Sequence, residues 1–399
     1  MKILHIGNLK SGIDTYVRNT VALASDKFEF VIVNGADDNS KPYMRHGKQV
    51  KTYSIDMYRA LNPVKDMKAV MQAIKIIKKE KPDLVHCHSA KGGVIGRFAA
   101  FFTGTKVVYT AHAFSFLSAE SAKKKQVFLL LEKIAKLNSY LLACSGSERE
   151  LGIKVVGFKE KKAFAWNNAV PDSLPQISSG KIEASDLPFP KVGERYITSI
   201  GRPSYQKNPL FMVEVAHGIH LKHPDIKFYL LGVGFYSPML EDMKKLIHQY
   251  DMDDTFYLLP WLSHEETLKY VKGSMLYFMT SLYEGLPISV IEAMSLGKAI
   301  VASDVLGNKD CVKDGYNGYL LPLKEEVFVE KMNDLIENDE KRKEMEKNSR
   351  SYFETDFFID NRIKALEDIY TEIYNRKIQM NYCANESKTS SLDFAECSQ

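Results

Sequence analysis

Nowhere in the 399 residues does an apolar run reach the roughly 18 residues needed to cross a bilayer, so no membrane-spanning helix is expected. Cysteine is also scarce. Cys87, Cys144, Cys311, Cys383 and Cys397 stand without paired spacing, which argues against a disulfide framework or a zinc site and fits a reducing compartment. The opening "MKILHIGNLKSG" has no apolar core and no small-residue cleavage site of a secretion signal, and it reads instead as a first strand. It lacks G-x-G-x-x-G as well, which argues against a dinucleotide oxidoreductase. Internal repeats are absent beyond a loose similarity between the two halves.

What remains is an ordinary globular composition, 45% apolar and 26% charged, in a chain long enough for two domains with a core each. The net charge of +4 conceals an asymmetry. Residues 1–180 hold 28 Lys and Arg against 15 Asp and Glu, giving +13, whereas residues 181–399 hold 26 against 35, giving −9. Either surface composition drifts along the chain or the first half meets something anionic.

Short apolar runs at 2–6, 28–33, 84–88, 107–110 and 140–144 alternate with helical patterns such as 63–79, 92–102 and 122–137. That alternation implies parallel βαβ units with helices on both faces of a sheet. A Pro-, Ser- and Gly-rich stretch at 170–194 is the linker candidate. The alternation then restarts with strands at 196–200, 226–231, 255–259, 275–279, 299–302 and 318–321. The expectation is two doubly wound domains, 1–175 and 190–355, facing each other across a cleft. A final helix, 356–377 in its pattern and about 356–380 in extent, completes the first domain, and 381–399 forms a polar tail. In open parallel sheets ligands bind beyond the carboxyl ends of the strands, so unusual residues just after strands are the ones to weigh.

Two such stretches stand out. In "SLYEGLPISVIEAM", 281–294, Glu284 falls in the loop after a strand and Glu292 lies about a turn and a half into the next helix. Pro287 suits that helix's first position, Gly297 its end, and Gly285 allows close approach of a ligand to the backbone. The free N–H groups at the helix start favour an anion. In "SIGRPSYQKNP", 199–209, Gly201 ends a strand and Arg202 and Lys207 flank the loop that follows. Two fixed cations there can hold a diphosphate and neutralise the charge growing on it as it leaves.

The pairing of "GRPSYQKN" with "EGLPISVIEA" resembles the retaining glycosyltransferases of family 4, which have the GT-B fold, and the likeness covers nearly the whole chain. "HCHSAKGGVIGRFAAFFTGTKVVYTAHAFSF", 86–116, resembles the first-domain portion of bacterial capsule and exopolysaccharide members. The resemblance implies that Arg202 and Lys207 grip the donor diphosphate and that Glu292 accepts hydrogen bonds from the ribose. It implies that Glu284, with the N–H groups of Gly285 and Leu286, holds sugar hydroxyls. Gly201, Gly232 and Gly234 would let the chain pass close to the nucleotide, with the base near the loop 260–262 that includes Leu262. Gly12 matches the glycine-rich turn near the phosphates, and His112 matches the first-domain histidine near the reacting carbon; His86 and His88 end a strand in the same cleft. Three positions depart from the pattern: Ser11 precedes Gly12 where the family has paired glycines, Ala113 follows His112 where it has Gly, and Asn168 precedes Ala169 where it has Asn-Gly.

The implied reaction is hexosyl or N-acetylhexosaminyl transfer from a nucleotide-diphosphate sugar, with UDP the expected nucleotide, in capsule, exopolysaccharide or lipopolysaccharide assembly. No cofactor, no metal and no nucleic acid is expected. "DMDD", 251–254, falls between a helix and a strand on the side away from the cleft. The segment 122–137 combines Lys123, Lys124, Lys125, Lys133 and Lys136 with an apolar stripe. It reads either as a core-packed helix with a solvated lysine face or as a helix lying on an anionic membrane surface. The second reading suits a polyprenyl-diphosphate-linked glycan acceptor and a cytoplasmic protein peripheral to the inner face of the cell membrane. The rival readings are a GT-B sugar-nucleotide epimerase and an inactive transferase-like scaffold subunit.

Overall fold

The computed structural model describes residues 1–36, 41–58, 62–177, 188–234 and 237–389, with 377–389 as backbone only. In chain order the strands of the first half are β1 (Lys2–Gly7), β2 (Glu29–Gly35), β3 (Met44–Arg45), β4 (Lys48–Gln49), β5 (Lys51–Ile55), β6 (Leu84–His88), β7 (Lys106–Thr110), β8 (Tyr140–Ala143) and β9 (Ala163–Ala165). The second half contributes β10 (Tyr196–Ile200), β11 (Lys227–Val233), β12 (Phe256–Pro260), β13 (Leu276–Met279), β14 (Ile300–Ser303) and β15 (Gly318–Leu321). Two parallel sheets result, in the orders β5-β2-β1-β6-β7-β8-β9 and β12-β11-β10-β13-β14-β15, beside a small β3–β4 hairpin.

The central strands are buried on both faces, which is why they read as continuous apolar runs rather than as alternations. Each sheet separates two apolar layers. Ile6, Val85, Tyr109 and Leu141 face one way in the first sheet, while Ile3, Leu84, Val108 and Leu142 face the other. Helix starts are chemically marked. Asn62 accepts the N–H of Lys65 at 3.0 Å ahead of Pro63–Glu80, and Ser263 with Glu266 forms a capping box for His264–Gly273.

Four strands escaped the sequence pattern, the two of the hairpin together with β5 and β9. The hairpin is two residues a side, β9 is three residues long, and β5 alternates exposed polar residues with Tyr53 and Ile55. Edge strands carry no apolar run because one side meets water. The linker candidate resolves into an isolated bridge at Val170 and a short turn, Leu174–Gln176; its residues 178–187 lie outside the described residues.

The last helix, Ile359–Thr389, returns to the first sheet and buries Leu366, Tyr370 and Ile373 against it. Two main-chain bonds, from Val170 N–H to Phe357 and from Ile359 N–H to Val170, tie its start to the first domain. Its backbone continues past the predicted end, so 381–389 is helical rather than tail, and 390–399 lie outside the described residues.

Strand order reverses beside β1 in the first sheet, where β2 and β6 flank it, and beside β10 in the second, where β11 and β13 flank it. The crevices at the carboxyl ends of these strands are where a doubly wound fold takes its ligand. Helix Ser89–Thr103 reaches the first crevice only because Gly92 has no side chain. A Cβ there would stand 2.5 Å from the Cα of Gly7 and 2.9 Å from the carbonyl of Ile6. Gly92→Ala is therefore expected to cost about 1–3 kcal/mol, as overpacking does. A urea titration followed by circular dichroism should show a lower midpoint; an unchanged midpoint would contradict this packing.

Candidate functional site

Immediately after β10 the chain runs through Gly201, Arg202 and Pro203 into a single 3-10 turn, Tyr205–Lys207. The aliphatic stem of Lys207 folds back over Gly201, where a Cβ would sit 3.2 Å from its Cε. Gly201, Arg202, Pro203 and Lys207 share one small cavity with Ile200 and Met279. Across it, after β13, stands Glu284. Its Oε1 accepts from Lys207 Nζ at 2.7 Å and from Ser281 Oγ at 2.7 Å, while Oε2 accepts from Gln206 Nε2 at 3.2 Å.

This contact differs from what the resemblance implies for each residue separately. Lys207 and Glu284 are bonded to each other, so the carboxylate fixes where the ammonium stands. An ammonium has three donors, and Glu284 uses one, which leaves Lys207 able to meet phosphate oxygens as well.

The helix Ile288–Ser295 follows, with Pro287 as its cap rather than its first residue, and Gly297 beyond its end at φ 68°. The N–H groups of Gly285, Leu286, Ile288 and Ser289 find no acceptor among the described residues. N–H groups without acceptors at a helix start favour an anion. Inside the helix, Glu292 is buried and accepts from His264 Nε2 at 2.8 Å. That hydrogen bond raises the His264 pKa above the ordinary histidine value, against the lowering effect of its partial burial.

On the other flank, Gly232 is the penultimate residue of β11 at φ 94°, close to the backbone of Gly201. A side chain on Gly234 would collide with Trp261 Nε1. Trp261 is 60% exposed beside the partly buried Leu262, so the loop expected to meet the base presents an indole face that the sequence analysis did not single out.

The first domain closes on this site at several points. Gly12 begins the helix Gly12–Leu23 and faces Ile288, with 3.4 Å between its Cβ position and Cγ1. A Cβ on Gly285 would stand 2.7 Å from the N of Ala113 and 3.0 Å from Cys144 Sγ. Asn168 Nδ2 donates to the carbonyl of Leu286 at 2.8 Å, and the N–H of Ser147 donates to Asp310 Oδ1 at 3.0 Å.

Two of the three departures from the family pattern, Ser11 and Ala113, fall at positive φ. Ser11 (φ 53°), His112 (φ 52°) and Ala113 (φ 77°) all adopt the left-handed conformation that glycine takes without strain. Glu148, absent from the sequence-derived set, secures that turn by accepting from the N–H of Ala113 at 2.8 Å and of Cys144 at 2.8 Å. Burial pushes the Glu148 carboxyl up even so. His112 lies at the turn after β7, with Nε2 3.0 Å from His88 Nδ1. His86 is not in the cleft; both of its ring nitrogens are engaged in the core, by Tyr370 and Thr110 at 2.8 Å each. The turn 251–254 lies on the opposite edge of the sheet, where Asp253 pairs with His248 at 2.9 Å.

Residues 10–174 match the family model described as Glycosyltransferase Family 4, and residues 183–352 match Glycosyl transferases group 1. The chain is 31% identical over 328 residues, 80% of its length and 83% of the relative's, to an Escherichia coli UDP-Gal:alpha-D-GlcNAc-diphosphoundecaprenol alpha-1,3-galactosyltransferase. It is 24% identical over 340 residues, 81% and 87% of the two chains, to the Staphylococcus aureus capsular polysaccharide biosynthesis glycosyltransferase CapM. Its fold is similar to that of sucrose-phosphate synthase from Thermosynechococcus elongatus, with a TM-score of 0.78 at 16% identity over 94% of this chain and 100% of that one. Anabaena HepE in complex with UDP and glucose follows at 0.74 and 17%, over 93% and 100%. On these matches, and on two Rossmann-like domains meeting at the cleft described above, the chain belongs to the glycosyltransferases of the GT-B fold, Family 4 in its first half and group 1 in its second.

Proposed function

We propose that this glycosyltransferase moves a hexosyl or N-acetylhexosaminyl group from a UDP-sugar to a glycan hydroxyl, with retention at the anomeric carbon, in bacterial surface polysaccharide assembly. The observation that carries the reading is the clustering of Arg202, Lys207 and the helix start at Ile288 around Glu284. These groups suit a diphosphate leaving group, because they are positive and fixed in place before charge develops. In the proposed step the departing diphosphate takes the proton of the incoming hydroxyl, and the bond to the acceptor oxygen forms on the face from which the diphosphate leaves. No metal is invoked, since the two cations and the unpaired N–H groups take that part. The names of the E. coli galactosyltransferase and of the UDP complex support UDP as the nucleotide and a polyprenyl-diphosphate-linked glycan as the acceptor.

Purified enzyme assayed with UDP-sugars in excess EDTA is expected to turn over and to give a product of unchanged anomeric configuration by NMR. Lys207→Ala should lower turnover on the order of a hundredfold. A variant within threefold of the parent would contradict the role of Lys207, and conversion of donor to its epimer without acceptor would support the rival epimerase.

For the acceptor, we propose that the helix Ala122–Ala135 rests on an anionic membrane surface. Its buried positions are Glu132 and Ala135, with Phe128 and Leu129 partly packed on the core, and Glu132 is held by Arg97 at 3.0 Å and by Tyr109 at 2.9 Å. The apolar stripe faces outward, with Val127 53%, Leu130 57%, Leu131 39% and Ile134 53% exposed, among Lys123, Lys124, Lys125 and Lys133. Phe128 and Leu129 pack partly on the core, and the outward residues form a second apolar surface beside them. A stripe of that kind bordered by lysines matches the interface of an anionic bilayer. The protein is expected to float with anionic liposomes at low salt, and to lose this in the Leu130→Glu/Ile134→Glu double variant. Absence of flotation at low salt would remove the proposal.

A further inference from the structure

The buried histidines of the first sheet have no part in the transfer step as proposed. His5 on β1 lies opposite His86 on β6, and His88 follows two residues on, so all three rings share one face. Their ring nitrogens approach within 4.8 Å of one another, as metal ligands would. Both nitrogens of His86 are already engaged by Tyr370 and Thr110, however, and His5 and His88 bond to each other directly. An ion could take the site only by displacing those partners, so the group reads as a hydrogen-bond assembly.

Within it, three rings form a line from the sheet interior to the cleft. His5 Nδ1 is 2.8 Å from His88 Nε2, and His88 Nδ1 is 3.0 Å from His112 Nε2. His5 and His88 are fully buried, whereas His112 is partly exposed. Burial lowers the pKa of His5 and His112 to about 3 and that of His88 well below the ordinary value, so each ring is neutral near pH 7 and carries one N–H and one lone pair. Neutral imidazoles in series must all point the same way. If the line points inward, His5 Nε2 carries the last proton. That atom is buried with no partner, so its N–H would be an orphaned donor in an apolar interior. If the line points outward, the same atom is only an unused lone pair. Buried N–H groups without acceptors are the rarer and costlier case.

We infer that His88, backed by His5, is a positioning residue that fixes His112 in its Nδ1–H tautomer, so that His112 offers the cleft a hydrogen-bond donor and no basic nitrogen. His112 then cannot be the base that removes the acceptor proton. That consequence leaves the proton to the diphosphate, and it alone rests on the proposed transfer.

The test is the tautomer itself. Protein carrying 15N-histidine gives long-range 1H–15N correlations in which protonated and unprotonated ring nitrogens are resolved, with His112 assigned by its loss in His112→Gln. His112 is expected to be protonated at Nδ1 in the parent protein. Protonation at Nε2 would overturn the inference, whatever the activity of the enzyme. In His88→Phe the preference should be lost and turnover should fall about tenfold, the equivalent of one hydrogen bond. His88→Asn, whose amide N–H can stand where Nδ1–H stood, should restore both. An unchanged His112 spectrum in a folded His88→Phe protein would equally overturn it, and should that variant not fold, the parent spectrum decides alone.

Discussion

Lys207 and Glu284 come from loops 77 positions apart in sequence, yet they meet at 2.7 Å, and the rest of the cleft is built around that contact. A lysine left to solvent would spread its charge over many rotamers. Here Gly201 gives its stem a bed and Glu284 gives its head a fixed partner. Arg202 enters the same cavity, and the helix starting at Ile288 begins in the loop that carries Glu284, with N–H groups that find no acceptor among the described residues. The positive charge is thus assembled before any leaving group forms, and preorganisation of that kind is what makes electrostatic stabilisation effective. Glu284 offsets one of the two cations, and the cluster keeps a net positive charge.

The second constraint is how closely the two halves approach. Gly285 has room only for hydrogen where it faces Ala113 and Cys144, and Gly12 meets Ile288. Polar links from Asn168 to Leu286 and from Ser147 to Asp310 set the angle of that meeting. Farther out, Arg350 grips Asp172 through two bonds of 2.7 Å, and the final helix crosses back to seal the first sheet. The cleft is therefore a property of the whole chain, with strain accepted at Ser11, His112 and Ala113 to shape its first-domain wall.

The second-domain cluster was legible in the sequence because its cations and Glu284 lie in loops that follow buried strands. Arg202 and Lys207 follow β10, and Glu284 follows β13, so strand patterning carried them to the right edge. What stayed hidden depended on contacts distant in sequence or on a side chain's surroundings. The Lys207–Glu284 bond has no local signature. His5 looks like an ordinary member of an apolar strand, and only the register of β1 against β6 brings it into line with His88 and His112. Trp261 reads as one aromatic among many until Gly234 is seen beneath it. β5 and β9 were missed because edge strands need only half an apolar pattern. In the helix Ala122–Ala135 the buried positions are Glu132 and Ala135, with Phe128 and Leu129 partly packed on the core, a division that depends on distant partners such as Arg97 and Tyr109.

The central claim is that the nucleotide's pyrophosphate lies between Lys207 and the start of the helix Ile288–Ser295. A crystal structure of the protein with UDP measures this directly. A β-phosphate oxygen is expected at about 2.7–2.9 Å from Lys207 Nζ, the length of a charge-assisted hydrogen bond, with Arg202 on the same diphosphate and the ribose against Glu292. A nucleotide bound elsewhere, with Lys207 bonded to Glu284 alone and Arg202 turned to solvent, would contradict it.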